Sequence, residues 1–110
     1  MILPNANSAI VDIKKLEGYC LNTSHPRGKH KAKVFKSVLG LTTDDAKLLR
    51  EKLKEIVSEV DSLFLSEDDF GKRYIVDFKL EVNKKKASIR SIWIIKSNED
   101  FPRFVTCYIK

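Results

Sequence analysis

Apolar residues repeat at two different periods along this chain, and the period changes near Phe70 and Gly71. Before that point, apolar positions recur every three or four residues, which is typical of helices that bury one face. After it, apolar and polar residues alternate, which is typical of strands with one buried face. The pattern therefore predicts helices first and strands last.

Three helices are predicted in the first part of the chain. The first runs from Asp12 to Leu21, and the second runs from about Gly28 to Leu39, after a loop rich in turn residues. The third begins at Thr42 or Thr43, either of which is a good N-terminal cap. Its apolar positions form an unbroken stripe, which contains Ala46, Leu49, Leu53, Ile56, Val57, Val60, Leu63 and Phe64.

Three strands are predicted after the change of period. They run from Arg73 to Val82, from Ala87 to Lys96 and from Arg103 to Ile109, and Ala9–Val11 is a candidate for a short fourth strand. The short connections indicate an antiparallel arrangement. The expected fold class is α+β, with two or three N-terminal helices packed on a three- to four-stranded antiparallel β-meander. A chain of 110 residues has room for a single domain.

Charge is distributed unevenly around a net value of +6. Residues 1–40 carry seven Lys or Arg and two acids, residues 41–70 carry four and nine, and residues 71–110 carry ten and four. Two basic segments are thus separated by an acidic one. If the basic segments meet on one surface, their positive field suits a phosphate backbone.

The sequence lacks the features that are typical of several other classes of protein. No apolar run is long enough to span a bilayer and no leader is visible, so a cytoplasmic protein without membrane association is expected. Cys20 and Cys107 lie in apolar patterns and are expected to be buried, reduced thiols, although a bridge between them stays open. No metal or cofactor is expected, because no phosphate-binding glycine loop, dinucleotide fingerprint or zinc-type spacing is present.

The second helix carries a lysine on its apolar side. At about 100° per residue, Lys31 falls about 40° from Phe35, inside the predicted buried stripe of Ala32, Phe35, Val38 and Leu39. A lysine in that position either extends to solvent at the helix end or points its ammonium at an anion. His30 is adjacent, on the flank of the stripe, and His25 lies one loop earlier. Free backbone N–H groups at this helix start, near Gly28, also favour an anion.

The strands supply a second polar group. Thr106 and Tyr108 share one face of the last strand, and Arg103 lies at its start. Arginine forks bind phosphate oxygens, and hydroxyls orient groups or pass protons. Solvation at an edge strand is the alternative for Arg103. Whether Arg90 joins this face depends on the strand register, because a slip of one residue turns it to the other face.

Proton transfer combined with positive charge is sufficient to cleave RNA through its own 2′-hydroxyl. One group takes the 2′ proton, another protonates the leaving 5′ oxygen, and cations stabilise the charged intermediate. DNA lacks this internal nucleophile. The prediction is therefore a metal-independent endoribonuclease. A non-catalytic module that binds RNA or protein, and an immunity or scaffold component, remain open as alternatives.

Two segments resemble an uncharacterised bacterial toxin-associated domain family. Residues 22–35 fit the pattern N-x-x-H-P-x-G-x-x-K-A-x-x-F, and residues 101–108 contain P-R-x-x-T-x-Y. The layout of helices followed by a sheet is similar to the barnase, EndoU, colicin and RelE ribonucleases. The resemblance thus implies a ribonuclease of a toxin–antitoxin system or of a polymorphic toxin.

The resemblance also implies site residues and partners. By position, the family's polar set corresponds to His25, Lys31, Arg90, Arg103, Thr106 and Tyr108. His30 matches only some members. The candidate catalytic residues are therefore His25, His30, Lys31, Arg90, Thr106 and Tyr108, and the candidate phosphate-binding residues are Arg27, Lys29 and Arg103. The implied partners are RNA and a small acidic antitoxin-like protein, with no membrane and no small-molecule cofactor.

Overall fold

Four strands form one antiparallel sheet in the computed structural model, which describes residues 1–110. The strands are β1 (Leu63–Asp68), β2 (Gly71–Val82), β3 (Lys85–Lys96) and β4 (Arg103–Ile109). Their order in the sheet is β1-β2-β3-β4, so each strand pairs with the next one along the chain. The predicted antiparallel meander is confirmed, and β1 and β4 are its two edges.

Short helical segments precede the sheet. They are the α-helical turn α1 (Ile13–Lys15), a π-turn (Leu16–Cys20) that continues it, and the helices α2 (Lys29–Leu39) and α3 (Ala46–Val57). Two 3₁₀ turns, Ala6–Ser8 and Thr43–Asp45, complete the set. The expected α+β fold class is confirmed. None of these helices has the length and apolar character needed to cross a membrane.

A single core lies between the helices and one face of the sheet. Trp93 of β3 and Phe104 of β4 meet edge to face there, with ring centroids 5.5 Å apart. The buried hydroxyl of Ser91 has hydrogen-bond partners in this core. Its Oγ donates to the carbonyl of Val76 (2.6 Å) and accepts a hydrogen bond from the indole N–H of Trp93 (2.9 Å). Helix α2 packs onto this core through Ala32, Phe35 and Leu39.

The third helix is shorter than its apolar stripe predicted. It ends at Val57 with Ser58 as its C-cap, and Leu63 and Phe64 lie in β1, so their assignment to the helix is wrong. A short apolar run fits either period, and the hairpin decides between them because Phe64 packs edge to face on Tyr74 of β2 (5.8 Å). The side chains of Leu63 and Phe64 are both more than half exposed, so neither belongs to the core.

The N-terminal segment Ala9–Val11 does not form a strand. Ile10 makes one isolated parallel bridge to Arg103, with its N–H donating to Pro102 and its carbonyl accepting from Phe104. The fourth strand of the sheet is β1 instead. The bridge still holds the N-terminal segment at the start of β4.

The β3–β4 register settles which polar residues share a face. Arg90 lies opposite Tyr108, and Ile92 lies opposite Thr106, whereas Val105 is the extra residue of a bulge. Residues directly opposite on neighbouring strands project to the same side of the sheet. Arg90 therefore lies on the same side as Tyr108.

Candidate active site

The segment before α2 folds into a turn that fixes where the helix begins. The side-chain oxygen of Asn22 accepts a backbone N–H two residues on (2.8 Å), and His25 Nδ1 accepts the N–H groups of Arg27 and Gly28 (3.0 Å each). The His25 ring also packs edge-on against Tyr19, with centroids 4.6 Å apart. Because Nδ1 accepts both bonds, the proton of neutral His25 lies on Nε2.

These contacts use two of the N–H groups that were expected to be free near Gly28. The N–H of Gly28 is bonded to the His25 ring, and the N–H of Lys29 is bonded to the His25 carbonyl (3.0 Å). Neither of these two N–H groups is available to an anion, because His25 caps this end of the helix. Gly28 is needed for a close approach, since a Cβ at this position would come 3.0 Å from the carbonyl oxygen of Tyr19.

Lys31 lies at the border of the buried stripe and contacts the edge strand. Its side chain is exposed, so its predicted place inside the stripe is wrong; Ala32, Phe35 and Leu39 fill that stripe. Its Nζ is 4.3 Å from the centroid of the Tyr108 ring. The π face of a phenol ring attracts a cation at this distance. The contact directs the ammonium toward β4.

An open cavity of about 550 Å³ lies beside Lys31. Three lysines and two hydroxyl side chains are among the residues that line it, which are Lys14, Lys15, Gly18, Tyr19, Lys31, Val105 and Thr106. No carboxylate lines the cavity, and none of its lysines takes part in an ion pair. Uncompensated ammonium groups and hydroxyl donors together suit a phosphate.

Sequence reasoning missed the wall of the cavity that α1 and the π-turn supply. Lys14 and Lys15 precede Gly18 and Tyr19 by four residues each, so the four positions share one side of a helical segment. That spacing was a usable signal for a basic face. Nothing in the sequence connects that face to Thr106, however, because the contact depends on how the π-turn packs against β4.

Arg90 is neutralised by a carboxylate from the neighbouring strand. Its Nε and Nη2 each donate to one carboxylate oxygen of Asp77 (2.9 Å), and Lys110 Nζ lies 3.2 Å from the same group. These hydrogen bonds raise the pKa of Arg90 and lower the pKa of Asp77. Arg90 also lies directly opposite Tyr108 of β4, and the nearby phenol contributes to the raised pKa of Arg90.

Arg103 lies outside the cavity that contains Lys31. It makes a bidentate ion pair with Glu99 (2.7 Å for both bonds), which raises the pKa of Arg103 and lowers that of Glu99. Its guanidinium also lies over the ring of Phe101, 5.1 Å from the centroid. Arg103 lines a smaller neighbouring cavity that shares Lys15 with the first one.

The remaining predicted residues lie around the start of α2. Arg27 and His30 are exposed, Lys29 is half-buried, and none of them lines the cavity. At about 100° per residue, His30 is about 160° from Ala32, on the outer side of the helix. Its expected place on the flank of the buried stripe is therefore wrong. The predicted residues that the structure brings together are Lys31, Thr106, Tyr108 and Arg90, which lies opposite Tyr108 on β3.

Comparisons with known proteins identify the family and the fold. Residues 2–110 match the profile of a family described as Domain of unknown function (DUF6883). A search of curated protein sequences gives no match. Among solved structures, a chain of the contact-dependent growth inhibition toxin–immunity protein complex from Klebsiella pneumoniae 342 aligns with a TM-score of 0.70. The alignment covers 96% of each chain at 18% sequence identity, so the two chains share a fold.

Proposed function

The chain belongs to the DUF6883 family, and we propose that it is a toxin-type endoribonuclease that cleaves RNA through the 2′-hydroxyl without a metal ion. The observation that carries the proposal is the cavity beside Lys31, which has three unpaired lysines and no carboxylate. A phosphate is the group in RNA that such a cavity suits best. The fold shared with a chain of a toxin–immunity protein complex supports the toxin context.

Lys31 is the proposed phosphate-binding and charge-stabilising residue. In the reaction, the 2′ oxygen attacks the adjacent phosphorus, the bond to the 5′ oxygen of the next nucleotide breaks, and a 2′,3′-cyclic phosphate forms. Negative charge grows on the non-bridging phosphate oxygens during the attack. An ammonium already held in place beside Tyr108 stabilises that charge without further reorganisation. Lys14 and Lys15 are proposed to hold the flanking phosphates.

Tyr108 and Thr106 are the proposed proton-handling and orienting groups. Arg90 lies directly opposite Tyr108 on the neighbouring strand, and Thr106 lines the cavity. Both hydroxyls can accept one proton and donate another, which the two proton transfers of this reaction require. His30 remains a second candidate for proton transfer because its exposed ring is one residue from Lys31. We assign His25 to fixing the start of α2.

Substitution at Lys31 tests the proposal. The parent, Lys31→Ala, His30→Ala and the control Lys33→Ala are expressed in bacteria and purified, and RNA integrity is followed with and without a chelator. Lys33 is a matched control because it is exposed on α2 and does not line the cavity. Parent and Lys33→Ala should cleave RNA, whereas Lys31→Ala should lose activity by about 100-fold to 1000-fold.

The same experiment separates the alternatives. Intact RNA that is bound with a steep salt dependence identifies a non-catalytic binding module. A chain that neither binds nor cleaves RNA contradicts both proposals and leaves a scaffold or immunity role. Cleavage that stops only when the chelator is added contradicts the metal-independent reaction.

An acidic protein is the proposed inhibitory partner of this surface. The chain carries a net charge of +6, and none of the cavity lysines forms an ion pair. An acidic surface that covers them gains charge complementarity and excludes RNA. A polyglutamate peptide is a suitable probe: it should compete with RNA for the parent and compete less well for Lys31→Ala. Equal competition in both proteins contradicts a partner site at this cavity.

A further inference from the structure

Tyr19 is the aromatic residue that lines the cavity beside Lys31. Its ring is half-buried, and it shares the cavity with the three lysines. The neighbouring Gly18 has no side chain, and a Cβ at this position would have no neighbour within 4 Å outside its own turn. The cavity thus combines an aromatic ring, open space beside that ring and uncompensated positive charge.

The turn before α2 holds the Tyr19 ring in place. His25 packs edge-on against the ring, with centroids 4.6 Å apart. Gly28 lies along it as well, since a Cβ at Gly28 would come 3.3 Å from Cε2 and 3.4 Å from Cδ2 of Tyr19. The carbonyl of Tyr19 accepts the N–H of Asn22 (3.1 Å). The N-x-x-H-P-x-G segment therefore fixes one aromatic ring, and a ring that is already fixed loses little conformational entropy on binding.

We propose that Tyr19 is a stacking platform for one unpaired RNA base, while the cavity lysines hold the adjacent phosphates. This inference rests on the proposed function in taking RNA as the ligand, and it adds a base contact that lysines cannot supply. Every base presents a flat π face, so stacking on an aromatic ring binds single strands with little dependence on sequence. A base inside a duplex already stacks on its neighbours and is not available to Tyr19.

The size and the lining of the cavity suit a nucleotide better than a phosphate alone. Small-ligand sites typically have a volume of about 300–1,000 Å³, and this cavity has about 550 Å³. Tyr19 and Val105 give its wall apolar surface, whereas the lysines and Thr106 give it polar groups. A phosphate would use only the polar groups. A nucleotide places a flat base against the apolar surface and its phosphate near the ammonium groups.

Binding of strands that cannot be cleaved tests the site. The probes are a fluorescein-labelled, fully 2′-O-methylated RNA of mixed sequence and an abasic strand of the same length and charge. Affinity for the full chain is measured by fluorescence anisotropy over a range of salt concentrations. The parent should bind the RNA about 10-fold to 100-fold more tightly than the abasic strand, because stacking of one base on an aromatic ring contributes about that much.

Substitutions at Tyr19 test the ring itself. Tyr19→Leu should bind the RNA about 10-fold or more weakly, with an unchanged salt dependence because no charge is removed. Tyr19→Phe keeps the ring and should bind like the parent. Phe64→Leu is the matched control and should also bind like the parent, because Phe64 is an exposed aromatic residue on β1 that does not line the cavity.

Three results overturn the proposal. They are a parent that binds both strands equally or not at all, a Tyr19→Leu protein with the parental affinity, and a Tyr19→Leu protein whose salt dependence also becomes shallower. The last result means that the ring only supports the lysines. The parent alone decides the first, so the test holds even if Tyr19→Leu fails to fold. Base-dependent binding without cleavage keeps this inference and contradicts the ribonuclease proposal, whereas cleavage with base-independent binding does the reverse.

Discussion

The ammonium of Lys31, in the first turn of α2, lies 4.3 Å from the centre of the Tyr108 ring on the edge strand β4. Tyr108 lies opposite Arg90 on β3, and Arg90 is bidentate to Asp77 on β2. A continuous line of contacts thus runs from the helix across three strands. The hydroxyl, the ring and each charge in this line can be removed separately.

Replacing Tyr108 by phenylalanine removes the hydroxyl and keeps the ring. Because the contact between Lys31 and the ring remains, the free energy of unfolding should change by no more than about 0.5 kcal/mol. The cleavage rate should fall by about 100-fold or more, because proton transfer through the hydroxyl is lost. Single-turnover cleavage and urea unfolding measure the two effects. A Tyr108→Phe protein with the parental rate shows that the hydroxyl takes no part.

Replacing Lys15 by alanine should weaken RNA binding in a salt-dependent manner. Each lost phosphate contact lowers the slope of log affinity against log salt concentration by about 0.7 for a single strand. Binding is measured with an RNA that carries a 2′-deoxy nucleotide at the cleaved position, so that it stays intact. Lys54→Ala is the control, because Lys54 is exposed on α3, away from the cavity. Identical slopes for both variants argue against phosphate binding in this cavity.

Replacing His25 by alanine should destabilise the fold. The change removes the acceptor for two backbone N–H groups at the start of α2, and the loss of such a cap costs about 1–2 kcal/mol. His25→Asn, whose side-chain oxygen can accept the same donors, should recover part of that stability. Urea unfolding measures both. If His25→Asn is as stable as the parent and yet cleaves RNA about 100-fold more slowly, His25 takes part in the reaction itself.

Acid should weaken the ion pair between Asp77 and Arg90. The hydrogen bonds from Arg90 hold the pKa of Asp77 below its ordinary value of 3.8. A carboxylate with a depressed pKa stabilises the folded state above its unfolded-state pKa and loses that contribution as the pH falls through the folded-state pKa. Asp77 therefore contributes fully at neutral pH, and its contribution is lost below about pH 4.

The size of this acid effect is limited by solvent. Both side chains of the pair are about one third exposed, so the contribution is on the order of 1 kcal/mol or less. The measurement is urea unfolding of the parent and of Asp77→Asn at neutral and acidic pH. The variant should lose less stability than the parent on acidification. Equal losses in the two proteins contradict a stabilising role for this pair.

The spacing of apolar residues was sufficient to predict the helices and strands that bury one face. The last strand has the predicted bounds, Arg103–Ile109, and α2 begins within a residue of its predicted start. The prediction failed at Leu63 and Phe64, because a short apolar run fits a helix and a strand equally well. Pairing with β2, which the local sequence does not encode, decides in favour of the strand.

The sequence by itself determined the order of the elements, the α+β class and the presence of an excess of positive charge. Only the tertiary structure decided which of those charges are free. The strand register gives Arg90 a carboxylate from β2, and the turn before β4 gives Arg103 the carboxylate of Glu99. Lys14 and Lys15 join Lys31 because the π-turn packs against β4. Charges are compensated by neighbours in space, and these neighbours are set by long-range packing.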